Sequence, residues 1–96
     1  MIIGYADEVT RDVHTGVESR PARRFGADVR AVARRKLDLI GAAAEIRDLA
    51  IPPGNRLEKL KGRLAGFYSI RVNDQFRIIF KFHAGQASHV QIVDYH

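Results

Sequence analysis

Between Phe25 and Ala44 the apolar residues Val29, Val32, Ala33, Leu37, Ile40 and Ala44 recur at steps of three and four. That is the spacing of one face of an α-helix, and it predicts the main helix of the chain. Arg30, Arg34 and Asp38 stand at four-residue steps on another side, which predicts a solvated face with charges linked along the helix. From Tyr68 the period shortens to two. Tyr68, Ile70 and Val72 alternate with Ser69 and Arg71, and Phe76, Ile78, Phe80 and Phe82 alternate with Arg77, Ile79 and Lys81. Two half-buried strands are expected, joined near Asn73 and Asp74.

The loop length follows from the same pattern. A strict two-residue turn at Asn73 and Asp74 pairs Val72 with Gln75 and Ile70 with Arg77, mixing apolar and polar residues on each face. A three-residue loop that includes Gln75 pairs Val72 with Phe76, Ile70 with Ile78 and Tyr68 with Phe80, so the longer loop is expected. This register sets Arg71 opposite Arg77 on the solvent face, where opposed like charges cost about a few tenths of a kcal/mol. An anion held between them removes that cost; so does a neighbouring carboxylate or splaying into water. "SHVQIV", after the "AGQ" turn, predicts a further strand. With Val90 and Ile92 inward, His89, Gln91 and Tyr95 share the open face, and Asp94 and His96 point the other way.

Ahead of the main helix, "MIIGY" is a short strand candidate, and "ADEVTRDVHTG" predicts a short helix capped by Asp7 and stopped by Gly16. "VESRPARR" reads as a mobile loop, since Pro21 and its charged neighbours offer nothing to bury. "AEIRDLAIPPGN" predicts one more short helical turn, ended by Pro52, Pro53 and Gly54. Helices followed by a meander of strands give an α+β domain, with N-terminal helices packed on one face of a curved antiparallel β-sheet and an open basic face opposite.

Composition narrows the function. At 96 residues the chain holds one core, and residues 1–96 are read as a single domain. Hydrophobic residues at 46% and charged residues at 28% are the balance of a folded domain rather than a disordered tail. The opening "MIIGYADE" meets acids too early for a secretory signal or membrane span, so a cytoplasmic protein is expected, with no membrane partner. There is no cysteine, and His14, His83, His89 and His96 do not fall at metal-ligand spacing, so neither a metal nor another cofactor is expected. The net charge of +5 favours a polyanionic partner. Arg11, Arg20, Arg23, Arg24, Arg30, Arg34, Arg35 and Lys36 face only Asp12, Glu18 and Asp28 over residues 11–36, and residues 56–81 form a second basic stretch.

A basic concavity carrying guanidinium groups, a carboxylate, a phenol and an imidazole can cleave RNA without a metal. The 2′-hydroxyl must lose a proton, the phosphorane charge must be held, and the 5′-oxygen must gain a proton. Glu58, Asp94 or His96 can move protons, while Arg71, Arg77 and Lys61 can hold charge; Arg56 and Lys81 add phosphate contacts.

"LAIPPGNRLEKLKG", "GFYSIRVNDQFRIIF" and the terminal "IVDYH", in that order, resemble the HigB-type toxins, with the GraT-like subgroup nearest, within the RelE/ParE superfamily. The resemblance covers residues 34–96. It implies a compact α+β fold and a toxin of a type II toxin-antitoxin system that acts as a ribosome-dependent endoribonuclease. The implied partners are messenger RNA on the ribosome, with contacts to 16S rRNA, and a HigA-type helix-turn-helix antitoxin. Asp94, Tyr95 and His96 match the family's functional C-terminal residues, with His96 as general acid. Arg77, in "QFRIIF", matches the strand arginine that binds the scissile phosphate, and Lys61, in "KLKG", a basic position near it. Some members carry histidine where "RLEKL" has Glu58, which can be a general base but not a cationic stabiliser. The alternative on the same fold is a ParE-like inhibitor of DNA gyrase, which needs no chemistry; a plain nucleic-acid-binding module would rest on charge alone. Residues 20–40 are the expected antitoxin contact.

Overall fold

The computed structural model describes residues 1–94; Tyr95 and His96 lie outside the described residues. Three helices, α1 (Glu8–Thr15), α2 (Arg20–Arg23) and α3 (Ala27–Ala42), precede four strands, β1 (Glu58–Lys59), β2 (Tyr68–Arg71), β3 (Phe76–His83) and β4 (Gln86–Asp94). The strands form one antiparallel sheet in the order β1-β2-β3-β4. The expected α+β arrangement is present, with α1 and α3 packed over one sheet face. No helix among the described residues is long and apolar enough to cross a membrane.

Local chemistry sets the helix ends. Asp7 Oδ1 accepts from the Thr10 N–H at 2.8 Å, and Gly16, at φ 81°, closes α1 in the left-handed conformation that glycine adopts without strain. Ala33, Leu37 and Ile40 form the buried stripe of α3, with Val29 and Val32 partly buried beside them. The helix ends at Ala42, so Ala43 takes the last buried position and Ala44 is exposed.

Two expectations for the helical half are corrected. The segment "VESRPARR" is not a loop throughout: Ser19 Oγ accepts from the Ala22 N–H at 3.3 Å, Pro21 fits the first turn, and α2 forms. Ala22 is fully buried, so the segment does hold an apolar anchor. Nor are Arg30, Arg34 and Asp38 linked to one another. Arg30 donates to the Phe25 carbonyl at 2.6 Å and Arg34 to the Val13 carbonyl at 3.1 Å, while Asp38 Oδ1 lies 2.8 Å from His14 Nε2. Two of these side chains thus tie α3 to α1. Tyr5 Oη, 2.6 Å from His14 Nδ1, extends the chain of contacts, and burial pushes the Tyr5 phenol up from its ordinary pKa.

In the sheet, Ile70 pairs with Ile78, Tyr68 with Phe80 and Arg71 with Arg77, and the Val72 N–H donates to Phe76 O at 3.0 Å. That is the register of the longer loop. The second hairpin turns more tightly than "AGQ" suggests, on Ala84 and Gly85 at φ 48° and 77°, with Gln86 already in β4. Residues 1–6 run parallel along the outer edge of β4: the Ile3 N–H donates to Ala87 O at 2.8 Å and the Ala6 N–H to Val90 O at 2.9 Å. Their pairing is confined to isolated bridges because β4 bulges beside them. Phe80, Ile70, Ile78, Val90 and Ile92 meet Leu37, Ile40, Val13 and Leu49 in the core.

The outer edge of β4 receives one more partner, from α1. Thr10, 1% exposed, accepts the buried Ile92 N–H on its Oγ1 at 3.0 Å. Thr10→Val keeps the shape and removes the acceptor. We expect a loss of about 1–3 kcal/mol, read as a lower midpoint in chemical denaturation; an unchanged midpoint would show that the contact adds nothing.

Candidate active site on the open sheet face

Strand pairing fixes which side chains share the face away from the helices. One row runs Glu58, Ser69, Ile79, Gln91 and the next Arg71, Arg77, Val93. Toward the other end of β3, Lys81 follows on the same side.

Arg77 is the centre of this arrangement, and it is not the solvent-facing arginine that the alternation predicts. It is 7% exposed. Its Nε donates to Ser69 Oγ at 2.9 Å and its Nη2 to the Arg56 carbonyl at 2.5 Å, while Glu58 Oε1 stands 4.0 Å from Nη2. The burial comes from the turn ahead of β1: Pro53–Asn55 packs against β2, and Arg56, in the left-handed region at φ 47°, presents its carbonyl to the guanidinium.

That turn is itself anchored. Asn55, fully buried, donates from Nδ2 to the carbonyls of Leu49 at 3.1 Å and Ile51 at 3.3 Å, and its Oδ1 accepts from Lys36 Nζ. Burial, with Arg35 and Arg71 nearby, holds the Lys36 ammonium below the usual lysine range.

Arg71 does lie opposite Arg77, but the like charges are separated by their partners. Arg71 Nη2 meets Asp74 Oδ1 at 2.5 Å, so a carboxylate fills the role that an intervening anion was invoked for. The structure therefore brings Arg77, Glu58, Arg71 and the Arg56 carbonyl together. Lys61 is exposed in the loop after β1. Lys81 is further along the face, about 13 Å from Arg77 at the rise of a strand, with its ammonium 5.3 Å from the centre of the Phe67 ring. Asp94 pairs with Phe76, on the helix side as parity predicts, and its Oδ2 accepts from Gln75 Nε2 at 3.1 Å. Tyr95 and His96 are outside the described residues. Among the described residues no group of three His, Cys, Asp or Glu side chains is placed to hold a metal.

Sequence reasoning missed Ser69. Its only signal was a small hydroxyl at an outward position of an otherwise bulky strand; that it is fully buried beneath a guanidinium follows from the turn that folds over it. Phe67, one residue before β2, was missed as well.

A family model described as the RelE-like toxin of type II toxin-antitoxin system HigB matches residues 12–96. Toxin HigB-1 of Vibrio cholerae serotype O1 is 55% identical over 53 residues, covering 55% of this chain and 56% of that protein. An uncharacterized protein of Haemophilus influenzae is 43% identical over 61 residues, covering 64% of this chain and 60% of that protein. The matched regions thus span less than two thirds of these curated relatives. Among solved structures, a YoeB-YefM complex from Staphylococcus aureus aligns with a TM-score of 0.64 at 18% identity, covering 100% of this chain and 95% of that one. A YoeB/ParE toxin from Agrobacterium tumefaciens aligns at 0.53 and 17% identity, covering 99% and 98%. At these identities the likeness is one of fold.

The turn over Arg77 is open to direct test. Asn55→Ala strands the Leu49 and Ile51 carbonyls and frees Lys36, for an expected loss of about 2–3 kcal/mol in chemical denaturation. Asp74→Asn, at an exposed pair, should cost less than about 1 kcal/mol. Equal effects from the two substitutions would contradict the anchoring role given to Asn55.

Proposed function

Because the chain belongs to the HigB-like family of RelE-like toxins from type II toxin-antitoxin systems, we propose that it is a ribosome-dependent endoribonuclease that cleaves messenger RNA. The observation that carries this reading is the oriented Arg77 guanidinium on a basic sheet face, with the Glu58 carboxylate beside it.

In the proposed reaction no metal is required. Arg77, with its charge held in place before substrate arrives, stabilises the extra negative charge on phosphorus; a donor fixed in advance pays no reorganisation at that moment. Glu58 takes the proton of the 2′-hydroxyl or, failing that, balances the arginine charge. His96 protonates the departing 5′-oxygen, with Asp94 and Tyr95 completing the group, as the resemblance implies. Arg56, Lys61, Arg71 and Lys81 guide the phosphate backbone, a contribution that weakens with salt. Membership of this family, and the solved YoeB-YefM complexes, support an antitoxin as protein partner. A HigA-type antitoxin and contacts to 16S rRNA belong to the same proposal, as do cytoplasmic action and one domain over residues 1–96.

The test is to map 5′ ends on cellular messages after brief induction of wild type, Arg77→Ala and His96→Ala. New ends on translated messages that fall by roughly 100-fold or more in both variants are expected. His96→Ala guards against the chance that Arg77→Ala, at a buried site, simply unfolds. Growth arrest with intact messages and gyrase-linked DNA breaks would overturn the nuclease reading in favour of the ParE-like one.

A further inference from the structure

The open face carries a second group of side chains that the cleavage chemistry leaves unused. Between Ile79, which pairs with Gln91, and Lys81, which pairs with Ser88, β4 holds one residue too many, and His89 takes the left-handed conformation at φ 53°. Bulges of this kind redirect a side chain. Here the imidazole turns onto the open face and meets the Phe67 ring, the ring centres 6.2 Å apart and the planes at 80°. His89 is exposed, and Lys81 covers Phe67 from the same side. An edge-to-face contact fixes the imidazole's orientation while leaving it accessible.

We propose that His89, buttressed by Phe67 and flanked by Lys81, is a stacking platform for an unpaired nucleobase of single-stranded RNA. The inference rests on the nuclease reading and deepens it, by adding a base subsite to the phosphate site at Arg77. Unstacked bases are taken up on aromatic and histidine rings with a cation near the adjoining phosphate, and that is the combination present here. Its position suits the purpose: Lys81, which flanks the platform, and Arg77 share one face of β3, four residues apart, so a single strand lying along the sheet reaches both sites. A role in folding alone does not account for the residue type. The bulge needs a left-handed residue, which glycine supplies with least strain, whereas histidine adds an exposed ring.

The base can come from the message or from ribosomal RNA, and the experiment separates the two. Purified full-length protein is titrated with a single-stranded RNA oligomer carrying 2-aminopurine at successive positions, and separately with message-programmed ribosomes. Wild type, His89→Gly and Phe67→Leu are compared. His89→Gly relaxes the backbone and should not lower the melting midpoint, so loss of binding in that variant is not loss of fold. Quenching at one oligomer position, with affinity falling about tenfold or more in both variants, supports the platform with the message as its ligand. An unquenched oligomer, with a comparable loss confined to ribosome binding and a wild-type footprint on an unpaired ribosomal base, supports the platform with ribosomal RNA as its ligand. Wild-type binding that neither variant weakens overturns the platform and leaves the nuclease reading intact. Wild-type failure to engage RNA or ribosomes overturns both.

Discussion

Asn73 Oδ1 accepts from the backbone N–H of Gln75 at 2.9 Å and of Phe76 at 2.7 Å, and the pairing of β2 with β3 depends on that turn. A strand slipped by one residue exchanges its two faces. In the observed register Ile70, Ile78 and Ile92 line up against the helices, and Arg71, Arg77 and Val93 line up on the other side. One slip of β3 would put Arg77 into the core against Leu37 and Ile40 and turn Ile78 outward. The core and the candidate site are therefore two faces of a single pairing decision, made within three residues of chain.

The same pairing delivers Arg77 to a place where the rest of the molecule must accommodate its charge. Removing a guanidinium from water costs on the order of several kcal/mol unless it gains partners. Ser69, the Arg56 carbonyl and Glu58 supply them. Arg56 can do so only because Asn55 ties the preceding turn to the 3-10 helix at Ile46–Ala50 and to Lys36 on α3. A line of contacts thus runs from the main helix through a buried amide to the arginine. The fold spends stability on a charge whose direction is fixed, which is the condition under which a cation stabilises a transition state more than a ground state.

Where periodicity or capping chemistry acts locally, the sequence was legible. Asp7 and Gly16 bounded α1, the three- and four-residue steps located α3, and matching apolar positions chose the β2–β3 register. What escaped depends on contacts distant in sequence. Ala22 looked like a bystander among arginines, yet it is the anchor that lets α2 form. Arg34 and Asp38 fit a self-paired helix face but reach across to α1. β1 is two residues long and carries no alternating pattern to reveal it. Arg77 was singled out, and the depth of its burial was not, because the turn that covers it lies about twenty residues upstream. Tyr95 and His96 were singled out too, and they lie outside the described residues.

Taken together, the orientation of Arg77, beyond its mere charge, is what the fold builds and what the proposed chemistry uses. The direct measurement is the rate of message cleavage on programmed ribosomes by purified wild type and Arg77→Lys, with folding verified for each. Lysine keeps the positive charge but lacks the planar fork that spans Ser69 and the Arg56 carbonyl. A folded Arg77→Lys protein slower by roughly 100-fold or more is the expected result; cleavage near the wild-type rate would contradict the account.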